Sequence, residues 1–230
     1  MADIDDELIE LAAECATDPL RWALHAYDWG RGELEGVTGP RAWQREVMSD
    51  IGNHLKNPAT RFQPLMLAVA SGHGIGKSAE IGMIVNWALS TCDDCKVVIT
   101  ANTDTQLRTK TSPEVGKWQR LSITSHWFDP QSASIAARDK EHAKTWRADF
   151  VPWSEHNTEA FAGLHNKGKR IVLIFDEASA IADKVWEVAE GALTDEETEI
   201  IWIAFGNPTR NIGRFRECFR RFRHSGWIIQ

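Results

Sequence analysis

The feature that most constrains this chain is a glycine-rich octapeptide, Ser71-Gly72-His73-Gly74-Ile75-Gly76-Lys77-Ser78. Residues 65–70 (LMLAVA), just before it, have the length and composition of a buried strand, and residues 79–90, just after it, read as a buried helix. A strand, a glycine turn and a helix in that order form a loop built for phosphate. Glycines let backbone N–H groups turn inward around an anion, and the helix N-terminus adds a favourable dipole. Lys77 would reach β- and γ-phosphates and Ser78 would ligate Mg²⁺. The expected pattern has Gly at position 71, where this chain has Ser, with glycines at 72 and 74 instead. The loop therefore nominates Gly72, His73, Gly74, Ile75, Gly76, Lys77 and Ser78 as ATP- and Mg²⁺-binding residues.

Further buried runs follow at 96–101 (KVVITA), 170–175 (RIVLIF) and 199–205 (EIIWIAF), with helical stretches at 103–121 and 182–193 between them. Continuous apolar strands alternating with helices predict an α/β fold with a mainly parallel central sheet covered on both faces. Residues 122–165 are the least regular, with strands suggested near 133–137 and 147–152. Upstream, 5–29 reads as a helical N-terminal lead-in broken at Pro19, 30–40 as a linker, and 41–55 as a helix with Pro40 in its first turn. The expected organisation is 1–38 as lead-in and linker, 39–210 as the core, and 211–230 as an Arg-rich helix leading into a truncated C-terminal region.

Composition narrows the class. Apolar residues make up 43% of the chain and charged residues 26%, as in ordinary globular domains. No run approaches 18 apolar residues and the N-terminus has no basic signal region, so no membrane segment and a cytoplasmic location are expected. The net charge of −7 comes from residues 1–18, which carry seven acids and no Lys or Arg; the remaining 212 residues hold 26 acids and 26 bases.

Three more motifs complete a site. Ile171-Val-Leu-Ile-Phe-Asp176-Glu177 is an apolar strand ending in two acids. Asp176 would hold Mg²⁺ and Glu177 would activate the attacking water. Lys77 and Asp176 lie far enough apart for extra strands between them, as in P-loop ATPases of the additional-strand, catalytic-glutamate type. Phe205-Gly206-Asn207-Pro208 follows the fourth buried strand, where open α/β sheets bind ligands; Asn207 could sense the γ-phosphate, or the segment could be a plain turn. Trp43-Gln44 on the upstream helix could meet adenine, Gln44 with its amide and Trp43 by packing.

Together these motifs resemble the ATPase domain of the large terminase subunit of tailed bacteriophages. The resemblance runs from Trp43-Gln44 to about Trp227 and includes Ser71–Ser78, Val97–Thr103 with Gln106 and Trp118, Ala160-Phe161-Ala162-Gly163-Leu164-His165, Ile174–Ala178 and Gly206–Arg210. It implies an ATP-driven motor that moves double-stranded DNA into a procapsid. The implied partners are a portal, a small terminase subunit and further copies of the chain in a ring, with a monomer expected for the isolated domain. Lys77 and Ser78 match the family's Walker A pair, Asp176 and Glu177 its Walker B pair, Gln44 its adenine motif and Asn207 its coupling motif. The family's loop arginine is His73 here, and the arginine before the glycine that precedes the Walker B strand is Ala162. Arg138, Arg147 and Arg170 stand as candidates for a transition-state arginine. No cluster of acids follows Asn207, so no nuclease activity is expected from this chain.

The first RecA-like domain of a superfamily-2-like helicase would share the adenine Gln, the loop and the Asp-Glu pair. A nucleotide-binding regulatory module would not need a base such as Glu177. Cys92-Asp-Asp-Cys95 lacks two further ligands for a zinc site. The arginines of 210–223 could touch DNA phosphates or a neighbouring subunit, or form the solvated face of a helix with Phe215, Phe219 and Phe222 packed inward.

Overall fold

The computed structural model describes residues 2–72, 74–153 and 164–230. Eight strands form one sheet in the order β3-β4-β5-β2-β6-β7-β1-β8. They are β1 (Leu65–Ala70), β2 (Lys96–Thr100), β3 (Phe128–Pro130), β4 (Ser134–Ala137), β5 (Arg147–Phe150), β6 (Arg170–Phe175), β7 (Glu199–Gly206) and β8 (Trp227–Ile229). Six neighbouring strands, from β5 to β8, run parallel, and β3 and β4 add an antiparallel edge. The strand before the glycine loop, β1, does not touch β6; β7 lies between them. That inserted strand is the additional-strand arrangement expected from the spacing of Lys77 and Asp176.

Every residue of β6 and β7 is buried, and the side chains alternate between two core layers. Val172, Ile174, Ile201, Ile203 and Phe205 face one layer; Ile171, Leu173, Phe175, Ile200 and Trp202 face the other. Helices α1 (Ala2–Glu14), α2 (Pro19–Ala26), α3 (Ala42–Lys56) and α4 (Lys77–Ser90) cover the first face. Helix α5 (Asp104–Gln106) joins α6 (Ser112–Leu121) on that side through a π-helical turn, Leu107–Thr111. The second face is covered by α7 (Asp183–Ala192) and the short α8 (Arg214–Cys218). Here Trp186, Trp202, Trp227 and Phe175 stack edge-on or tilted, with centroids 4.9–5.7 Å apart.

The structure differs from four of these expectations. The lead-in is not an appendage: Ala12, Cys15, Trp22 and Tyr27 belong to the first core layer, and the Trp87 indole N–H donates to the Cys15 carbonyl at 2.9 Å. The core does not stop at 210. Trp227–Ile229 pair in parallel with β1 and Trp227 enters the aromatic cluster, so this segment is a strand of the central sheet. The Arg-rich helix spans only Arg214–Cys218; Phe215 is buried, while Phe219 and Phe222 are half-buried against the same layer. Pro40 lies one residue before the α3 N-cap, Arg41, and so outside the helix. Among the described residues, no helix is long and apolar enough to cross a membrane.

Candidate active site

Loops at the carboxyl ends of β1, β6 and β7 converge in the crevice where open α/β sheets take ligands. In the first, Gly74 (φ 73°) and Gly76 (φ 93°) adopt left-handed backbone that side-chain-bearing residues rarely take. That turn swings the chain from β1 into α4, whose first residue is Lys77. The N-terminus of α3 fixes the loop from outside. Arg41 Nη1 (2.9 Å) and Trp43 Nε1 (3.3 Å) both donate to the Ile75 carbonyl, and Gln44 Nε2 donates to the Gly76 carbonyl at 3.0 Å. Gln44 Oε1 accepts the Arg41 backbone N–H at 2.8 Å, which caps the first turn of α3. Read from the sequence, the Gln44 amide was free for adenine; in the structure Gln44 is buried and both ends of its amide hold backbone. Trp43 also lines a cavity of about 430 Å³ with Ser71, Gly72 and Ile75. His73 lies outside the described residues, as do residues 160–163 of the Ala160–His165 motif.

Lys77 is only 8% exposed. Its ammonium donates to the Gly72 carbonyl at 3.3 Å and to Asn207 Oδ1, just beyond β7. Asn207 is therefore tied to the phosphate loop through the side chain that would grip phosphate. Asp176 follows the last residue of β6 and is held by its own N–H, which donates to the Thr100 carbonyl at 2.8 Å. Burial pushes its carboxyl above the usual carboxylate range; the Thr111 hydroxyl, which donates to Oδ2 at 2.5 Å, opposes that shift. Glu177 sits at φ 52°, a left-handed conformation that costs a non-glycine residue about 1–3 kcal/mol. Its N–H donates back to Asp176 Oδ1 at 3.0 Å. The two acids thus occupy a strained turn.

A single cleft of about 430 Å³ is lined by Gly74, Gly76, Lys77, Ser78, Asp176 and Glu177. The Ser78 hydroxyl and the Asp176 carboxylate are hard oxygen donors. Two such protein ligands suit Mg²⁺ when nucleotide phosphates and water supply the rest. Among the described residues, no group of three or more His, Cys, Asp or Glu side chains gathers to cage a metal alone, so the donor set fits a cation carried in with phosphate.

Sequence reasoning missed part of this cleft. Lys110 and Glu114 also line it, as does Gln106, which the sequence named only within the terminase resemblance, and Thr111 braces Asp176. All four lie on or beside the π-helical turn. Such turns are rare and concentrate at functional sites, but they leave no periodicity to read. The arginine candidates fare differently. Arg138 lines a cavity of about 620 Å³ between α1 and the β3–β4 edge, Arg147 pairs with Asp149 at 2.7 Å, and Arg170 is buried against Glu199. None of the three lines the cleft.

Comparisons with known proteins agree with this fold. Residues 68–190, just over half of the chain, match the family model of the RNA cytidine acetyltransferase NAT10/TcmA helicase domain. Over 225 residues the chain is 27% identical to a probable terminase large subunit of Enterobacteria phage P7, covering 92% of this chain and 42% of that protein. The chain thus spans about two-fifths of the length of the curated relative it matches. The fold is shared with the bacteriophage HK97 large terminase (TM-score 0.62, 13% identity, 94% of this chain and 43% of that one). It is shared too with the Thermus phage P74-26 large terminase ATPase domain (TM-score 0.52, 19% identity, 81% and 71%). A third relative in fold is the bacteriophage D6E large terminase in complex with ADP (TM-score 0.50, 13% identity, 76% and 41%). The resemblance read from the sequence, and the P-loop fold it implied, are borne out.

Proposed function

The chain belongs to the family described by the NAT10/TcmA helicase-domain model, and on that premise we propose that it is the ATP-hydrolysing domain of a phage DNA-packaging large terminase. One observation carries this reading: the loop residues Gly74, Gly76, Lys77 and Ser78 and the acids Asp176 and Glu177 line one cleft. ATP enters with its β- and γ-phosphates against the loop backbone and Lys77. Trp43 flanks the base side, and Gln44 serves binding by fixing the loop through Gly76. Ser78 and Asp176 hold Mg²⁺, which supplies charge neutralisation at the phosphates when bound. Glu177 orients a water in line with the γ-phosphate and takes its proton. Asn207, in contact with Lys77, reports the loss of the γ-phosphate to the loop after β7. Among the described residues, Lys77 and Lys110 are the cationic side chains that line the cleft, and in this reading a transition-state arginine would come from a neighbouring copy in a ring.

The moved substrate in this reading is double-stranded DNA, in the host cytoplasm, with a portal and a small terminase subunit as partners. A second reading, a helicase-type motor that separates strands, is favoured by the name of the matching family model. Phosphate release by this chain with Mg²⁺, with and without duplex DNA, tests the proposal. The wild type should release phosphate only with Mg²⁺, and Glu177→Gln should bind ATP but hydrolyse it about 10²–10⁴-fold more slowly. Equal rates for the two proteins would remove Glu177 from the chemistry. Strand separation of a forked duplex would favour the helicase reading.

A further inference from the structure

Six arginines lie between 210 and 223, and the structure divides them. Arg214 is internally engaged: it pairs with Glu190 and lies over the Phe222 ring at 3.9 Å, while its backbone N–H donates to Asp183 at 2.8 Å. Arg210, Arg216 and Arg220 instead line a pocket of about 300 Å³ at the carboxyl ends of β1 and β7, along with Ser179, Pro208 and Phe219. Among the described residues, no acidic residue lines it. Arg210 and Arg220 are exposed and their side chains make no hydrogen bond or ion pair among the described residues; the carboxylate of Glu217 is 3.8 Å from Arg216. Three guanidinium groups around an acid-free concavity form a site for a polyanion. Guanidinium forks match phosphate oxygens in pairs, and they shed water more readily than ammonium groups.

We propose that this pocket seats a backbone phosphate of duplex DNA, held by Arg210, Arg216 and Arg220. The inference rests on the DNA-motor reading above and gives that reading its contact residues. The pocket's position favours this occupant over an unrelated acidic surface. Pro208 adjoins Asn207, which touches Lys77, and Ser179 lies two residues beyond Glu177. Two of the lining residues pack closely on the end of β7: a Cβ at Gly206 would fall 2.9 Å from Phe215 and 3.1 Å from the Ser179 nitrogen. A phosphate in the pocket would therefore press on the same strand end that carries Asn207.

The test is binding of a labelled DNA duplex across a salt series, comparing the wild type with Arg210→Gln/Arg220→Gln and with Arg221→Gln/Arg223→Gln. The second pair removes the same charge outside the pocket. The pocket pair should weaken binding about tenfold and lower the slope of log affinity against log salt by about 0.9, the value for one lost phosphate contact. The outer pair should change the slope by less than half as much, and ATP-analogue binding should be unaltered in both. Equal losses from the two pairs would reduce the effect to general charge and overturn the pocket. An unchanged slope in the pocket pair would overturn it while leaving the motor reading intact. A wild type that binds ATP but no duplex at low salt would sink both the pocket and the DNA part of the proposed function.

Discussion

At the amino end of the central sheet, Arg170 and Glu199, the first residues of β6 and β7, are buried and fully engaged; at the carboxyl end of the same strands, the buried charges are held by few partners in a strained frame. Arg170 pairs with Glu199 (2.8 Å), donates to Thr91 Oγ1 (2.8 Å) and the Ala16 carbonyl (2.6 Å), and lies 4.2 Å over the Trp87 ring. Arg61 adds a second ion pair to Glu199 at 2.8 Å. At the other end Asp176 is buried with its carboxyl raised, Glu177 has positive φ, and Glu80 in the first turn of α4 is fully buried without a hydrogen-bond partner among the described residues. Burial alone pushes the Glu80 carboxyl well up. One end satisfies its charges internally, so that removing either partner would leave a buried charge unpaired. The other leaves capacity for charge that a ligand would bring, at a cost to the empty fold.

Substitutions at the two ends should therefore separate stability from activity. The largest effect is expected at the amino end. Glu199→Ala leaves Arg170 buried and unpaired and should lower unfolding free energy by about 3–5 kcal/mol in urea titration. The folded fraction should bind Mg·ATP as the wild type does; weakened binding would show that the ends are not separable. Asn207→Ala, at the carboxyl end, should reverse the pattern, with near-normal stability and kcat for hydrolysis down about tenfold, or ~1.4 kcal/mol. A normal kcat would mean that the Lys77 contact has no part in turnover.

Thr111→Val removes the hydroxyl that opposes the rise of the Asp176 carboxyl, a loss of about 1 kcal/mol. Asp176 must be ionised to hold Mg²⁺, so the acid limb of the pH–rate profile should move to higher pH. An unmoved limb would count against Thr111 as a positioning residue. The smallest effect is expected from Glu80→Gln. A carboxyl raised on folding costs stability above its folded pKa, and the cost fades as pH falls to the unfolded value near 4.3. The variant should melt higher than the wild type at pH 8, by about 2–4 °C for each kcal/mol relieved, and converge with it near pH 4. A constant difference across that range would assign the gain to packing instead.

Legibility in the sequence followed burial. The runs 170–175 and 199–205 were readable because both faces of β6 and β7 are covered, which forces continuous apolar residues. Residues 128–130 escaped notice because three residues on an antiparallel edge make no pattern. Trp227–Ile229 read as a strand just beginning, but its place in the central sheet is defined by its partner β1, far away in sequence. Lys77, Ser78, Asp176 and Glu177 were visible from their placement at strand ends, and Asn207 from its position after β7. Gln44 was visible as a residue, but its contact with Gly76 depends on how α3 meets the loop. Thr111 and Lys110 depended on a π-helical turn, whose single extra residue reorients side chains without altering composition.

The central claim is that the carboxyl-end loops form one Mg-nucleotide site. Its most direct test is the thermal shift produced by saturating Mg·ATP in the wild type, Lys77→Ala and Glu199→Ala. A ligand at about 100 times its Kd stabilises the fold by roughly 2.7 kcal/mol. The account predicts that shift in the wild type and, from a lower starting Tm, in Glu199→Ala, with little or none in Lys77→Ala. A Lys77→Ala protein stabilised as much as the wild type would contradict it, because the nucleotide would then be binding elsewhere.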